Sequence, residues 1–366
     1  MKFTILRETL LKPLQQVIGV VERRQTLPIL GNILISITKK GVSLTATDLE
    51  VELRTYVPLK TDINAEFTLA ARKMLDICRT LPEGAMLEVE LNDDRVTVRS
   101  GRSRFSLSTL SAAEFPVVEE IKSAQEFTLA QKDLKQLIDR THFAMAQQDV
   151  RYYLNGLMVE LNEGVIRAVA TDGHRLALCE IPADISGVNG HQVIIPRKGI
   201  QELSRLLTDS DELAEIKIGS NHIRINLPEI RFTSKLVDGR FPDYQRVLPK
   251  GSDKHLVANR DTMRHALTRA SILSNEKYRG IRWSLGSNLL KIQAHNPEHE
   301  EAEEELEVDY SGADLEIGFN VNYLLDALGA IPVDQVEVSL IDANSSCLIH
   351  EPNSKACQYV VMPMRL

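Results

Sequence analysis

The stretch Ala170-Thr171-Asp172-Gly173-His174-Arg175-Leu176 decides the fold, because its opening residues have counterparts at two other places in this chain of 366 residues. Ala46-Thr47-Asp48 stands 124 residues before it, and Ala294-His295-Asn296 stands 124 residues after it. Arg104-Phe105 likewise returns as Arg231-Phe232. A period of this length is that of a small domain, whereas solenoid repeats run to about 20–50 residues. The sequence therefore predicts three similar domains in a row.

Each predicted domain repeats one order of elements. An amphipathic helix comes first, and strand-like segments rich in β-branched residues follow, joined by short Gly or Asn turns that suit antiparallel meanders. A second helix and further strands complete the domain. The helix patterns lie near residues 10–23, 132–145 and 263–270, and again near 71–80, 197–207 and 320–330. We therefore expect an α+β fold with a doubled internal motif.

The domain boundaries are expected where Pro, Gly, Ser and charged residues cluster, near 117–126 and 247–256. This predicts domains over residues 1–124, 125–253 and 254–366. A hydrophobic content of 43% is enough for several cores. The longest apolar runs stay below the 18 or so residues of a membrane span, and the first residues, Met1-Lys2-Phe3-Thr4, lack the apolar stretch expected of a signal peptide.

The four cysteines indicate the compartment. Cys78, Cys179, Cys347 and Cys357 are scattered without a C-x-x-C pair. This pattern fits reduced thiols and argues against both a disulfide framework and a zinc ribbon. We therefore expect a cytoplasmic protein, and the lack of a long apolar run predicts that it has no membrane partner.

The net charge of −8 disfavours nucleic acid as a partner, but its distribution is uneven. Residues 254–294 are basic and residues 295–366 are strongly acidic. Basic pairs recur at corresponding places, as Arg23-Arg24, Arg72-Lys73 and Arg197-Lys198. Because aromatic residues do not alternate with them, stacking on single strands is not expected. The pairs instead predict a common face that contacts phosphates without reading the base sequence.

Two patterns suggest catalysis when each is taken alone. His295-Asn296-Pro297-Glu298-His299 matches the H-x-x-E-H pattern of a zinc hydrolase, in which both histidines bind the metal from one face of a helix. Pro297 disfavours a helix there by about 3 kcal/mol or more, which leaves a surface loop as the other interpretation. Asp172-Gly173-His174-Arg175 offers a histidine beside a carboxylate, a plain turn, or the wall of a binding site. The sequence has neither a P-loop nor G-x-G-x-x-G, and we expect no enzymatic activity, metal or cofactor.

Several longer stretches together resemble the bacterial DNA polymerase III β subunit family, the sliding clamps. The match covers essentially the whole chain, including its apolar end, Val361-Met362-Pro363-Met364-Arg365-Leu366. The stretches that carry it are Thr26-Leu27-Pro28-Ile29-Leu30-Gly31-Asn32, Ser100-Gly101-Arg102-Ser103-Arg104-Phe105, Gln148-Asp149-Val150-Arg151-Tyr152-Tyr153-Leu154-Asn155-Gly156, Ala170-Thr171-Asp172-Gly173-His174-Arg175-Leu176 and Asp238-Gly239-Arg240-Phe241-Pro242-Asp243-Tyr244.

The resemblance implies a DNA-clamp fold and a processivity factor. Clamps of this family are head-to-tail homodimers of three-domain protomers, with helices lining the hole and sheets outside. The implied partners are double-stranded DNA, bound without sequence preference, and a second copy of the chain. The implied protein partners are the catalytic subunit of the replicative polymerase, the clamp loader, translesion polymerases, mismatch-repair proteins and ligase, which bind through short linear motifs.

The resemblance also implies three sets of functional residues. Partner peptides would bind an apolar groove formed by Leu154, Thr171, Gly173, His174, Arg175, Leu176, Pro242, Arg246, Val247, Val360, Val361, Met362, Pro363, Met364 and Arg365. The dimer contact would use Phe105, Leu107, Ile272 and Leu273, with Lys73 facing Glu298, Glu301 or Glu304. Arg24 and Gln148 would touch DNA, beside the basic residues Arg72, Lys73, Arg197 and Lys198.

Three other interpretations remain open. The zinc hydrolase would be built on His295, Glu298 and His299. A peptide-binding module that never encircles DNA would use the same groove but would not form a ring. A specialised second clamp, for example one that confers drug tolerance, would share the fold and all three sets of residues.

Overall fold

The computed structural model describes residues 1–21, 27–92, 94–118, 121–122 and 124–365. Within the three predicted domains, called repeats 1 to 3 below, the order of elements is the same: strand, helix, four strands, helix, three strands. Each repeat therefore holds two copies of a strand–helix–three-strand motif, as the doubled pattern of the sequence predicted. The first strand of each repeat precedes the opening helix and was not predicted.

The first twelve strands are β1 (Lys2–Leu6), β2 (Asn32–Thr38), β3 (Gly41–Thr47), β4 (Val51–Val57), β5 (Ala65–Ala70), β6 (Met86–Asn92), β7 (Arg95–Ser100), β8 (Ser103–Ser108), β9 (Gln125–Ala130), β10 (Gly156–Asn162), β11 (Val165–Thr171) and β12 (Arg175–Pro182). The next twelve are β13 (His191–Pro196), β14 (Leu213–Ile218), β15 (His222–Asn226), β16 (Ile230–Lys235), β17 (Lys254–Asn259), β18 (Gly280–Gly286), β19 (Leu289–His295), β20 (Glu301–Glu307), β21 (Leu315–Asn320), β22 (Gln335–Leu340), β23 (Cys347–His350) and β24 (Cys357–Val361).

The helices are α1 (Arg7–Val17), α2 (Ala71–Thr80), α3 (Gln131–Asp139), α4 (Arg197–Leu206), α5 (Arg260–Ser271) and α6 (Val321–Ala330). Amphipathic spacing explains the face that each buries. In α5, Met263, Ala266, Leu267 and Ala270 are buried, whereas the arginines of this helix lie on its other side. The Asn259 side chain caps the start of α5 by accepting a hydrogen bond from the Thr262 backbone N–H.

Helix α3 ends earlier than the sequence pattern predicted. The apolar spacing extended to Met145, but the helix stops at Asp139. The Thr141 backbone N–H bonds to the Ile138 carbonyl, three residues back, and the Thr141 hydroxyl donates to the Leu137 carbonyl at 2.5 Å. These bonds tighten and close the helix. Met145 is still buried, because a short 3₁₀ turn over His142–Ala144 carries it into the core.

The first compact unit comprises Met1–Lys132 and Gln201–Leu236. It contains an eight-stranded antiparallel sheet in the order β5-β2-β3-β4-β16-β15-β14-β9 and a four-stranded sheet in the order β1-β6-β7-β8. In the larger sheet, β4 of repeat 1 pairs with β16 of repeat 2. Helix α1 packs against β4 and α2. One continuous sheet therefore joins strands from two successive repeats.

The second compact unit comprises Asp133–Ile200 and Val237–Leu366. Its eight-stranded sheet has the order β13-β10-β11-β12-β24-β23-β22-β17, and its four-stranded sheet has the order β20-β19-β18-β21. Repeats 2 and 3 meet where β12 pairs with β24, with Leu176 opposite Val360. Helix α5 packs against β19, β20 and α6.

The cysteines differ from the expectation that all four are reduced. Cys179 and Cys357 form a disulfide, because they lie directly opposite each other on β12 and β24. They are 178 residues apart in the sequence, so their spacing gave no sign of the contact. Cys78 and Cys347 are free and buried, and burial raises the pKa of their thiols to about 11 and about 12.

No helix among the described residues has the length and apolarity needed to cross a membrane. The predicted H-x-x-E-H segment is not helical. His295 ends β19, and residues 296–300 form a turn in which the Asn296 backbone N–H bonds to the Glu300 carbonyl. The zinc interpretation requires both histidines on one face of a helix. Because this segment is not a helix, the two histidines do not share such a face.

Candidate functional site

The turn between β11 and β12 is built by its own polar side chains. The Thr171 hydroxyl donates to the Arg175 carbonyl at 2.6 Å, and the Asp172 carboxylate accepts from the backbone N–H groups of His174 and Arg175. Gly173 has φ +89°, which favours glycine. A Cβ there would also lie 3.1 Å from the Arg151 guanidinium. Because Asp172 is occupied by these bonds, the segment is a structured turn, and its place in the wall of a binding site stays a prediction.

The corresponding turn of repeat 1 has the same bonds but a different environment. The Thr47 hydroxyl donates to the Val51 carbonyl at 2.9 Å, and Asp48 accepts from the Val51 backbone N–H at 2.7 Å. Glu52 stands where repeat 2 has Leu176, is almost fully buried, and accepts a hydrogen bond from the Val118 backbone N–H. Repeat 1 therefore has a buried carboxylate at the position where repeat 2 has the apolar side chain of Leu176.

The Arg175 guanidinium links repeats 2 and 3. It donates to Asp172 at 3.1 Å and to the Phe143 carbonyl at 2.8 Å, and it is paired with Asp326 on α6. It also lies 4.6 Å from the centre of the Tyr323 ring, on which His174 stacks. Tyr323 and Asp326 were not among the predicted site residues. They are three residues apart on one face of α6, but nothing in the sequence connects that face with Arg175.

Three buried residues of the predicted groove belong to an apolar, closely packed cluster, called the floor below. Leu154, Leu176 and Val360 are at most 2% exposed and belong to one cluster of buried side chains. Phe241 and Tyr244, from the segment after β16, pack into the same cluster, and Val247 lies against it. The cluster thus combines strands of repeats 2 and 3 with the segment that connects them.

The chain end runs beside this floor. The Met362 backbone N–H donates to the His174 carbonyl at 2.9 Å, and the Met364 backbone N–H donates to the Gly318 carbonyl at 2.9 Å. Met364 and Arg365 also border a cavity of about 440 Å³ with Tyr278 and Pro297. Backbone hydrogen bonds therefore hold the C-terminal segment against repeats 2 and 3, and the side chain of Met362 stays exposed.

The structure brings the fifteen predicted groove residues into one compact unit, at different depths. The buried residues are Leu154, Leu176, Val360 and Val361. The half-buried residues are Thr171, Arg175, Val247, Pro363 and Met364. The exposed residues are Gly173, His174, Pro242, Arg246, Met362 and Arg365. The buried predicted residues are thus all apolar, and the exposed ones are both polar and apolar, a mixture that fits a short-peptide site.

The predicted DNA contacts lie at the starts of helices and in one loop. Arg72 and Lys73 are exposed in the first turn of α2, where Arg72 donates to the Val21 carbonyl at 2.8 Å. Arg197 and Lys198 are half-buried at the start of α4, and Arg197 donates to the Met145 carbonyl. Gln148 is exposed with φ +56°. Arg24 lies outside the described residues.

The predicted dimer contacts lie on two edge strands and one helix end. Phe105 and Leu107 are half-buried on β8, the edge of one four-stranded sheet. Glu301 and Glu304 lie on β20, the edge of the other, and Glu298 is exposed in the preceding turn. Ile272 is 73% exposed just after α5, and the neighbouring Leu273 is half-buried.

Replacing Arg175 by alanine is expected to lower the free energy of unfolding by about 2–4 kcal/mol, because Asp172 and Asp326 lose their shared cation and the Phe143 carbonyl loses a donor. Chemical denaturation monitored by circular dichroism measures this change. Arg246→Ala is the matched control, since Arg246 is largely exposed and its ion pair with Asp243 lies on the surface. This substitution should cost less than about 1 kcal/mol. Equal stability of the two variants would contradict the linking role of Arg175.

Comparison with protein families covers nearly the whole chain. Residues 1–119 match the N-terminal domain of the DNA polymerase III beta subunit, residues 128–243 match its central domain, and residues 245–365 match its C-terminal domain. The chain therefore belongs to the DNA polymerase III beta subunit family, the sliding clamps. This confirms both the predicted family and the three-domain α+β clamp fold.

Individual relatives agree with this assignment. The chain is 58% identical to the beta sliding clamp of Pseudomonas aeruginosa and 55% identical to that of Escherichia coli K12, in both cases over all of each chain. The crystal structure of DNA polymerase III subunit beta from P. aeruginosa superposes with a TM-score of 0.97 at 57% identity over the full length of both chains. Caulobacter crescentus pol III beta superposes with a TM-score of 0.94 at 40% identity, also over both whole chains.

Proposed function

We propose that two copies of this chain close head to tail into a ring around double-stranded DNA and tether the replicative polymerase to it. The ring acts as a processivity factor without catalysing a reaction. The observation that carries the proposal is the pair of edge strands, β8 and β20, whose side chains are complementary. A contact between two different surfaces that closes after two copies is a permitted symmetry.

Strand β8 carries apolar side chains beside a positively charged one, whereas the exposed side chains of β20 are negatively charged. On β8, Phe105 and Leu107 alternate with serines, and Arg104 beside them is exposed. On β20, the exposed positions 301, 303, 305 and 307 are all glutamate. Joining β8 of one copy to β20 of the next would extend both sheets and remove two edges that otherwise invite aggregation. Opposite charges would also fix the orientation of the two copies.

Three glutamates are candidates to face Lys73 in the partner copy, and one of them already pairs within its own chain. Glu304 is held by Arg269 of the same chain, with 2.7 Å between Arg269 Nε and Glu304 Oε1. These hydrogen bonds lower the pKa of Glu304 and raise that of Arg269. Glu298 and Glu301 are therefore the better candidates to face Lys73. Such a pair would orient the subunits more than hold them, because exposed ion pairs contribute about 0–1 kcal/mol.

DNA is retained in this proposal by topology. Arg24, Arg72, Lys73, Gln148, Arg197 and Lys198 supply weak contacts to phosphates. Because such contacts have no preferred register, the ring slides. Partners then bind the apolar groove through short linear motifs. Met362 suits this role, since its flexible thioether side chain adapts to several related peptides, and Val247 adds apolar surface. The partners proposed are the replicative and translesion polymerases, the clamp loader, mismatch-repair proteins and ligase, in the cytoplasm.

Retention on DNA of different topology tests the proposal. After loader-assisted assembly on nicked circular DNA in high salt, most of the protein should stay bound to the circle and leave quickly once the circle is cut. High salt screens the contacts to phosphates on circular and on linear DNA alike. A difference in retention between the two DNA forms therefore reports topological linkage. Equal loss from circle and linear DNA would contradict encirclement and would favour the peptide-binding module that does not enclose DNA.

A further inference from the structure

A row of polar side chains crosses four strands beside the groove floor. Gln192, Glu160, Arg167 and Glu180 stand opposite one another in succession on β13, β10, β11 and β12. Residues two positions away on a strand point to the same face. The row therefore continues the face whose apolar members include Met158 and its neighbours in the floor cluster.

Tyr244 connects this polar row to the segment 237–248, which carries Pro242, Arg246 and Val247. The Tyr244 hydroxyl donates to Glu160 Oε2 at 2.7 Å and accepts from Arg167 Nη1, also at 2.7 Å. Arg167 Nη1 donates to the same Glu160 oxygen at 2.8 Å, which closes a three-membered ring of hydrogen bonds. The rest of the Arg167 guanidinium binds Glu180 at 2.6 and 3.0 Å.

Two of the three residues in this ring of hydrogen bonds are buried and Arg167 is half-buried, so the loss of one partner affects the other two. Tyr244 is 4% exposed and Glu160 is 7% exposed. Burial opposes ionisation of Glu160, but hydrogen bonds from Tyr244 and Gln192 and the charge of Arg167 hold its pKa below the usual range. Burial and the bond to Glu160 raise the pKa of Tyr244, which keeps its hydroxyl a donor. A buried charge that loses one such partner is left with its desolvation cost.

The segment carrying Tyr244 has little other regular structure. It contains a single 3₁₀ turn, Tyr244–Arg246, and the Val247 backbone N–H bonds to the Tyr244 carbonyl at 3.0 Å. Its start is tied to the sheet where the Val237 backbone N–H bonds to the Ile194 carbonyl. The position of Val247 relative to the floor is therefore set through Tyr244.

We propose that Tyr244 is a positioning residue of the groove: its hydroxyl, held by Glu160 and Arg167, fixes the wall formed by Pro242, Arg246 and Val247 at the height that a partner peptide requires. This inference rests on the proposed function, because it concerns the same groove. It adds a buried polar anchor to a site whose predicted residues are mainly those that the peptide would touch.

The test measures binding of a fluorescent peptide that carries the clamp-binding motif of the replicative polymerase catalytic subunit. Tyr244→Phe removes only the hydroxyl, which takes part in two of the three hydrogen bonds of the ring, and it should weaken binding about fivefold. Tyr310→Phe is the matched control. Tyr310 is equally buried and its hydroxyl donates to the Ala313 carbonyl, but it lies outside the groove, so affinity should not change.

A double-mutant cycle with Val247→Ala separates positioning from general destabilisation. If Tyr244 acts through the wall, Val247→Ala weakens binding in the wild-type background but has less than about a twofold effect once Tyr244 is phenylalanine. In Tyr244→Phe, the rate of backbone hydrogen exchange should also rise in residues 241–248 without rising in β10 and β11.

The outcomes distinguish the two proposals. The positioning role is supported if Tyr244→Phe weakens peptide binding and if the effects of Tyr244→Phe and Val247→Ala on affinity are not additive. Unchanged binding, or effects that multiply independently, overturns it while leaving the groove intact. Failure of the unaltered chain to bind the peptide overturns the groove assignment itself and, with it, this inference.

Discussion

Replacing Ile272 and Leu273 together by alanine is expected to convert the proposed dimer into monomers. Each aliphatic side chain that becomes buried in a contact contributes about 1.5–3 kcal/mol. Losing both weakens each contact by about 3–6 kcal/mol, which raises its dissociation constant about 100- to 10,000-fold. Ile272 is 73% exposed in the single chain, so its removal should cost little within the monomer. Sedimentation velocity over a range of concentrations measures the change.

The control for this variant is a second pair of exposed aliphatic residues, Leu213 and Val150, which are 60% and 94% exposed and outside the predicted contact. Leu213→Ala with Val150→Ala should remain dimeric. Circular dichroism checks that both variants are folded. A dimer that persists in the Ile272 and Leu273 variant at low nanomolar concentration would show that the contact lies elsewhere.

Deletion of residues 362–366 is expected to abolish binding of the polymerase peptide, with a loss of at least about 100-fold. The deletion removes Met362 and Met364 with their backbone hydrogen bonds to His174 and Gly318, together with one side of the groove. The dimer should persist, because the predicted contact residues belong to β8, β20 and the end of α5. Fluorescence anisotropy and sedimentation velocity measure the two properties on the same sample.

A variant with the last five residues replaced by glycine and serine tests whether side chains or chain length matter. We expect it to behave like the deletion, since flexible polar residues offer no apolar surface. Retained affinity in either variant would remove the chain end from the site. Loss of both peptide binding and the dimer would show that the two surfaces are not separate.

Much of the fold follows from local signals in the sequence. The second helix of each repeat was predicted within a residue or two, because α2, α4 and α6 each have a strong apolar face. The shared Thr-Asp turn was also correctly equated between repeats 1 and 2, since the same side chains build it in both. These features depend on residues that are close in the chain.

Features that depend on distant residues were not predictable in this way. The Cys179–Cys357 contact and the Arg175–Asp326 pair join positions that become neighbours only through the register of β12 and β24 and the docking of α6. The polar anchor of Tyr244 likewise needs the register of four strands. The family resemblance supplied the residues expected at the groove surface. It gave no reason to expect Tyr323, Asp326, Glu160 or Arg167 to support them.

Sheets shared between repeats affect how such a chain can evolve and fold. The sequence repeats three times, yet β4 is completed by β16 and β12 is completed by β24, each from the following repeat. A single repeat cut out of the chain would leave half of a sheet without its partner strands. The repeat is thus a unit of the sequence pattern, whereas each complete sheet needs strands from two repeats. The two junctions also differ in what they bury, Glu52 at one and Leu176 at the other, although the two positions correspond.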